Sequence, residues 1–477
     1  MFAEITYWLF NALYIYAVAM TIIVLMLENR NPIKSIAWII TIIAIPVVGL
    51  VLYALFGRDF RKGKTVKKAN KAYAEALKNL DETFDQGIPV EGYENMSQLI
   101  YNLCNEKIYN NTYIKPFTDG TSLYESIFAD IESAKETIFA EYYIIENDKI
   151  SKRFIETLIK KAREGVKIKI VVDAVGSWKV KKKTKQLLAE AGIEYHEFLP
   201  VTLPFFGKKI NYRNHRKLLI IDNEIGYIGG MNVADRYIEG KPSLGKWRDT
   251  HIKVIGDGIQ GLAKVFRKDY HFVSRELVPI DIKKMPNPDG LTPCDMQTVF
   301  SGPDMEYRAI MQTYLRIIMQ SQKYVYIESP YFMPNEAVRS ALVTAAKSGV
   351  EIKIIIPLVC DDRIVLRSTY SYVKDLASAG VHFYFYKAGF IHSKLIVSDD
   401  KIVSVGSANM DFRSLEHNFE TNVILYGDET ATIFCDIFEH DIADSEAFDM
   451  DRWKSRPFSM RIKESIARLF KIGRAHV

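Results

Sequence analysis

The sequence predicts an α/β protein: two similar α/β/α lobes with the active site between them, behind an N-terminal two-helix transmembrane hairpin. Three observations predict it. Two apolar stretches long enough to cross a bilayer stand together at the N-terminus. Two later stretches repeat one order of helix-like and strand-like segments. A short His–Lys–Asp pattern occurs once in each repeat.

The membrane hairpin comes first along the chain. Tyr7 to Leu27 is apolar apart from Asn11 and a few Tyr and Thr, and Ser35 to Phe56 is apolar throughout, with Pro46 inside it. A helix needs about 20 such residues to span the hydrocarbon core. Pro46 is tolerated in such a span if neighbours satisfy the freed carbonyl. A cleaved leader carries a basic segment before a shorter apolar run, and Met1-Phe2-Ala3-Glu4 has none, so a retained anchor is expected. Arg30 and Lys34 stand in the connecting turn, whereas Arg58, Arg61, Lys62, Lys64, Lys67, Lys68 and Lys71 follow the second stretch. Positive charge marks the cytoplasmic side, which predicts a multi-pass protein of the cell membrane with its lobes in the cytoplasm. The same basic segment attracts anionic head groups.

The lobes follow. A-K-E-T-I-F-A-E-Y-Y (134–143) resembles S-Q-K-Y-V-Y-I-E-S-P (321–330), and A-R-E-G-V-K-I-K-I-V-V-D (162–173) resembles A-K-S-G-V-E-I-K-I-I-I-P (346–357). Ile168, Ile170 and Val172, like Ile352, Ile354 and Ile356, fit buried strands flanked by helices. The repeat is far too long for a solenoid. Expected boundaries are residues 1–57 for the hairpin, 58–95 for a basic linker, 96–285 for the first lobe and 286–477 for the second.

The chemistry sits in the repeated pattern H-x-K-x-x-x-x-D. One copy is His215, Lys217 and Asp222; the other is His392, Lys394 and Asp399. Each precedes a small-residue turn ending in Asn, Gly229-Gly230-Met231-Asn232 and Gly406-Ser407-Ala408-Asn409. Composition yields about 0.14 chance matches, so one copy is weak and two with matching tails are not. A buried strand with polar ends explains the runs L-L-I-I and L-I-V, but not why His and Lys share one face of it in both copies.

The bulk numbers set limits. The 477 residues suffice for two or three domains. Hydrophobic content of 48% and charged content of 25% suit globular lobes plus a membrane part. A net charge of +5 suggests anionic surfaces without identifying one. Cys104, Cys294, Cys360 and Cys435 are scattered, which argues against a disulfide framework or a cysteine zinc site. His196, His271, His382 and His440 are isolated, and no H-E-x-x-H spacing occurs.

At this point the chain resembles the phospholipase D superfamily, and within it the bacterial cardiolipin synthases with a transmembrane hairpin. The two H-x-K-x4-D motifs carry the superfamily resemblance. N-R-N-P-I-K-S-I-A-W, Trp247-Arg248-Asp249-Thr250-His251, Ser301-Gly302-Pro303-Asp304, Tyr331-Phe332-x-Pro334 and Asn409-x-Asp411-x-Arg413-Ser414 point to the synthase branch. The resemblance implies transfer between two phosphatidylglycerol molecules giving cardiolipin and glycerol. It implies no cofactor, no metal and no nucleic-acid partner, and leaves a homo-oligomer open. The tail Ile472 to Val477 reads like a translated sequencing adapter and carries no weight, His476 included.

A phosphodiester repels nucleophiles, so a site must neutralise its oxygens and supply a nucleophile and an acid. Lys217 and Lys394 are expected to neutralise, and Asn232 and Asn409 to donate further hydrogen bonds. By analogy with the superfamily, His215 attacks phosphorus and His392 is the acid and base. Asp249 lies 34 residues after His215 and Glu420 lies 28 after His392, and each is expected to orient an imidazole. Asp222 and Asp399 belong to the motif, but five residues beyond Lys on a strand is about 16 Å, so they are expected to tie down the turn. Ser407 and Ser414 are balanced between phosphate binding and local capping. His251 and His417 are expected behind the site. Leu203-Pro204-Phe205-Phe206, with Lys208 and Lys209, reads as a membrane wedge or as a packed loop.

Three rivals remain from the sequence. A hydrolase of the same superfamily would use water as acceptor. A scaffold would carry a degenerate site, which two intact motifs argue against. A transferase could take another donor lipid such as phosphatidylethanolamine.

Overall fold

Strands buried on both faces need helices on either side, and this chain supplies them twice. The computed structural model describes residues 2–27, 32–53, 64–77, 90–200, 212–281, 288, 290–460 and 462–464. Within them a single 15-stranded sheet joins the two halves. Outward from the centre, the first half contributes Ile108–Phe117, His251–Gly256, Ile225–Gly229, Lys217–Ile221, Thr137–Tyr142, Lys167–Asp173 and Glu194–Phe198. The second contributes Thr292–Ser301, Glu420–Tyr426, Ile402–Gly406, Leu395–Ser398, Tyr324–Glu328, Glu351–Pro357 and His382–Tyr386, with Ser445–Ala447 on the edge. The two lists match strand for strand. The expected lobes are therefore repeats fused edge to edge: Ile108–Phe117 and Thr292–Ser301 pair antiparallel, with Ile108 opposite Gln297.

Thr137–Tyr142, Lys167–Asp173 and Glu194–Phe198 run parallel in the first half, as do Tyr324–Glu328, Glu351–Pro357 and His382–Tyr386 in the second, and helices make the crossovers. Lys149–Arg163 shows why they form. Asp148 caps it by accepting from the Ser151 N–H, and Ile150, Phe154, Ile155 and Leu158 make one buried stripe. Asn335 caps Glu336–Lys347 in the second half the same way, through the Val338 N–H. A fully buried large side chain of this kind contributes roughly 1.5–3 kcal/mol. One apolar cluster runs through both halves, linking Phe139, Leu218 and Phe266 to Val325, Ile354 and Phe434. Such a shared core holds the halves in fixed register.

The motif strands end alike. Asp222 and Asn223, and Asp399 and Asp400, all have positive φ (53°, 52°, 53° and 58°). Two consecutive left-handed residues form the tight turn that closes each hairpin, and Asp and Asn tolerate that region best among residues with a side chain.

The first apolar stretch forms the helix Phe2–Leu27, of which Glu4–Ile23 is long and apolar enough to cross a membrane. The second departs from the single span expected over Ser35 to Phe56. It breaks at Ile45 into Pro32–Ala44 and Pro46–Leu52, and Gly49 packs its backbone against Thr41 and Ile42. Pro46 has no N–H to continue the ladder, so the helix stops before it. Glycine at 49 then permits the close return, since a Cβ there would stand 2.7 Å from the Thr41 carbonyl oxygen. Within the stretch expected to be a linker, Lys64–Leu77 is a helix. It docks across the seam between the halves: Asn70 Nδ2 donates to the Asp304 carbonyl of the second half at 2.7 Å, and Tyr73 lies 5.4 Å from the His271 ring of the first. The 203–206 wedge, the basic residues 58–62 and the tail beyond residue 464 lie outside the described residues.

Candidate active site

Each motif histidine is the residue at which one half is stitched to the other. Asn214 bridges Phe419, and the His215 N–H donates to the Phe419 carbonyl at 2.9 Å. The short strand Gly389–Ile391 pairs in parallel with Lys246–Arg248, and the His392 N–H donates to the Arg248 carbonyl at 2.6 Å. The next residue after Phe419 is Glu420, and the next after Arg248 is Asp249. The stitching therefore delivers a carboxylate from the opposite half to each imidazole. His215 Nδ1 is 3.0 Å from Glu420 Oε2, and His392 Nδ1 is 2.6 Å from Asp249 Oδ2. Asp249 and Glu420 were expected to orient imidazoles, each beside the motif of its own half; the structure exchanges the partners.

With Nδ1 engaged, Nε2 is the nitrogen left for a substrate, and both rings line one cavity of about 830 Å³. The carboxylates are fully buried, yet both stay below the ordinary carboxylate range. Burial pushes them up, and the neighbouring His and Lys charges outweigh it. The imidazoles move the other way. Burial, the largest cause, lowers His215 and brings His392 to about 4; Lys394 adds to the effect at His392. Burial also lowers Lys217 to about 7 and Lys394 to about 8. The Lys394 charge lowers both Lys217 and His215, so the two motifs share one electrostatic site. Both ammonium groups sit behind the imidazoles and donate to the carbonyl oxygen of their own histidine. Among the described residues no group of three or more His, Cys, Asp or Glu could hold a metal ion.

The supports differ between halves. Ser407 Oγ donates to Glu420 Oε2 at 2.6 Å and accepts from the Thr421 N–H, so it braces the carboxylate rather than facing a ligand. The matching residue, Gly230, leaves room for Asp249, whose carboxylate a Cβ there would overlap. Behind each motif an arginine lies in a buried acidic nest: Arg216 with Asp269 and Glu141, Arg248 with Asp441 and Glu328. Burial pushes Glu141 and Glu328 well above the ordinary range.

The remaining expected residues fall in distinct places. Asp222 accepts from the N–H groups of Lys135, Glu136 and Thr137, and Asp399 from those of Gln322, Lys323 and Tyr324, at 2.7–2.9 Å. Both motif aspartates thus tie the turn to the start of a neighbouring strand, away from the cavity. Asn232 lines the cavity, but its Nδ2 donates to Tyr237 Oη and its Oδ1 accepts from the Ile144 N–H, leaving at most one N–H for a phosphate. Asn409 lines it too, and its Oδ1 is buried without a partner. Ser414 Oγ is likewise buried and unpartnered. His251 accepts from the Met231 N–H behind the site, and burial drives it to about 3. His417 packs between Tyr212 and Phe412.

Several cavity residues escaped the sequence reading: Tyr143, whose ring lies 4.8 Å from that of His215, and Arg213, Asp361 and Asn418. One signal could have found Tyr143: it directly follows a repeated strand, and ligands gather at strand C-termini.

Comparison with known proteins agrees with this layout. Residues 127–242 and 314–442 match the family described as cardiolipin synthase, PLD-like domain, and residues 12–58 match a phospholipase D-nuclease N-terminal pattern. A cardiolipin synthase of Halalkalibacterium halodurans is 35% identical over 96% of this chain and 93% of its own. Cardiolipin synthase 1 of Staphylococcus aureus is 36% identical over 94% and 93%. A cardiolipin synthase of Oceanobacillus iheyensis is 37% identical over 98% of both. Phosphatidylserine synthase of Haemophilus influenzae shares the fold, with a TM-score of 0.59 at 12% identity over 80% of this chain and all of that one.

Proposed function

Because the chain belongs to the PLD-like cardiolipin synthase family, we propose that it transfers a phosphatidyl group between two phosphatidylglycerol molecules, giving cardiolipin and glycerol. It is a membrane-associated phosphatidyltransferase acting on phospholipids. The observation that carries the mechanism is the pair of imidazoles lining one cavity, each held at Nδ1 by a buried carboxylate.

His215 Nε2 attacks phosphorus, forming a P–N bond as the bond to the glycerol oxygen breaks. His392 gives that oxygen its proton. The second lipid's glycerol hydroxyl then attacks phosphorus, returns a proton to His392 and releases His215. The phosphodiester energy stays in the P–N bond, so no nucleotide is required. Lys217 and Lys394 stabilise the charge on the non-bridging oxygens. A reversed assignment has one observation in its favour: His392, at about 4, is the more surely neutral nucleophile at pH 7.

The lysines give the reaction an alkaline limb. They act only when charged, and in the free enzyme they titrate near 7 and 8. We expect kcat/KM to fall as pH rises through that window. The bound phosphate raises both, so the fall in kcat lies at higher pH. A kcat/KM profile flat to pH 9.5 would contradict this.

The orientation rests on the Lys and Arg that follow the second apolar stretch, which place the lobes in the cytoplasm. Protease added outside intact cells should spare the lobes; their digestion would place them outside. The activity itself is tested by reconstitution in phosphatidylglycerol vesicles with product analysis. Cardiolipin plus glycerol supports the transferase, and phosphatidic acid alone would make it a hydrolase.

A further inference from the structure

The product holds two phosphates one three-carbon bridge apart, so the enzyme must seat a second phosphodiester beside the one it cleaves. The catalytic centre accounts for only one. Among the described residues three arginines line the cavity: Arg213, Arg236 and Arg413. Arg213 is buried and held by Asp173 at 3.2 Å, with further bonds to the Tyr212 and Leu199 carbonyls. Arg236 is held by Glu146 at 3.1 Å and lies over Trp247. Arg413 differs from both. Its side chain is exposed to the cavity and, among the described residues, has no carboxylate within ion-pair distance. The nearby acid Glu416 is already neutralised by Arg308 at 3.0 Å and accepts from Asn335.

The surroundings place this guanidinium. Its charge is felt by Tyr143 and Arg213, and Tyr143 packs on His215, so Arg413 stands on the His215 side. The opposite side is acidic: Tyr331 donates to Asp361, whose charge reaches His392 and Lys394. The cavity lining also includes Asn409 and Asn418, whose Oδ1 atoms are buried without a partner among the described residues. Asn418 cannot simply turn over, because its Nδ2 donates to Glu420 Oε1 at 3.1 Å. An orphaned buried acceptor is costly and calls for a donor, and a glycerol head group carries hydroxyl donors while a phosphodiester carries none. The cavity wall therefore holds acceptors that lack donors and, on the His215 side, a guanidinium that is unpaired among the described residues.

We propose that Arg413 is the acceptor-lipid site: it binds the intact phosphodiester of the second phosphatidylglycerol and so places that lipid's glycerol hydroxyl for attack. This rests on the transferase reading. It makes Arg413 a specificity residue that separates an anionic lipid acceptor from a neutral alcohol or water.

Two reactions of the reconstituted full chain separate donor from acceptor use. Phosphatidylglycerol vesicles alone report lipid-acceptor transfer as cardiolipin. The same vesicles with deuterated glycerol report exchange of the head group, where the acceptor is a small neutral alcohol. Arg413→Gln should lower cardiolipin formation on the order of 10- to 100-fold, the loss expected for a charge-assisted hydrogen bond. Glycerol exchange should stay within about 3-fold of the unmodified enzyme, well below that range, which also reports an intact fold. Arg413→Lys, which keeps the charge but not the fork, should recover part of the cardiolipin rate. Equal loss of both reactions, or no loss of either, overturns the assignment. An unmodified enzyme that exchanges glycerol but never makes cardiolipin would overturn the cardiolipin-forming reading instead.

Discussion

Replacing His215 or His392 with Asn should each abolish cardiolipin formation, by on the order of 10⁴-fold or more. Asn keeps a polar side chain of similar reach but can neither form the P–N bond nor carry the proton. The rings line a single cavity and have separate duties, so one intact motif cannot serve for two. The variants should fold. Each histidine's strand is stitched to the other half through its backbone N–H, which Asn retains. Turnover in phosphatidylglycerol vesicles, followed by lipid analysis, checks this. Activity above a few per cent in either variant would mean that one histidine does not take part.

The next largest effect belongs to the carboxylates. Asp249→Asn and Glu420→Gln keep the shape but remove the charge, and an amide holds the wrong imidazole tautomer. We expect each to cost on the order of 10²- to 10⁴-fold. The exchange of partners makes the test sharper. Asp249 serves His392, which acts in both steps, so Asp249→Asn should slow resolution of the phosphatidyl enzyme as well as its formation. Glu420 serves His215, so Glu420→Gln should slow formation of the adduct itself. Rapid quenching separates the two phases. If Asp249→Asn slowed formation alone and Glu420→Gln slowed both phases, either the chemical roles of the histidines or their carboxylate partners would be reversed. The single His→Asn variants tell these apart, because they report roles without reference to the carboxylates.

Much of this was legible in the residues themselves. The motif strands announce themselves as apolar runs, and the repeat as matched strand-helix-strand blocks, because burial imposes those patterns locally. The motif aspartates were legible as turn residues from reach alone. The exchange of carboxylates was not. It depends on Gly389–Ile391 lying beside Lys246–Arg248, a pairing of short strands distant in sequence that leaves no periodic trace. Counting residues along the chain favours the nearer partner, whereas the fold favours the one across the seam. The break at Ile45 was half legible: Pro46 was visible, but whether a helix spans or folds back depends on what packs against it. Here Gly49 admits the return. Asn232 looked like a phosphate donor because its type and spacing allow it. Tyr237 and the Ile144 N–H, which occupy much of its amide, could be seen only in three dimensions.

One measurement reaches the central claim most directly: the number of phosphatidyl groups covalently bound per chain when the reconstituted enzyme is acid- or base-quenched during turnover, mapped by peptide mass spectrometry. A single site shared by both motifs predicts at most one group per chain, carried on a nitrogen of His215, and its accumulation in the His392→Asn variant. Two groups on one chain, or adducts on both histidines in separate variants that each still turn over, would show two independent sites and contradict the account.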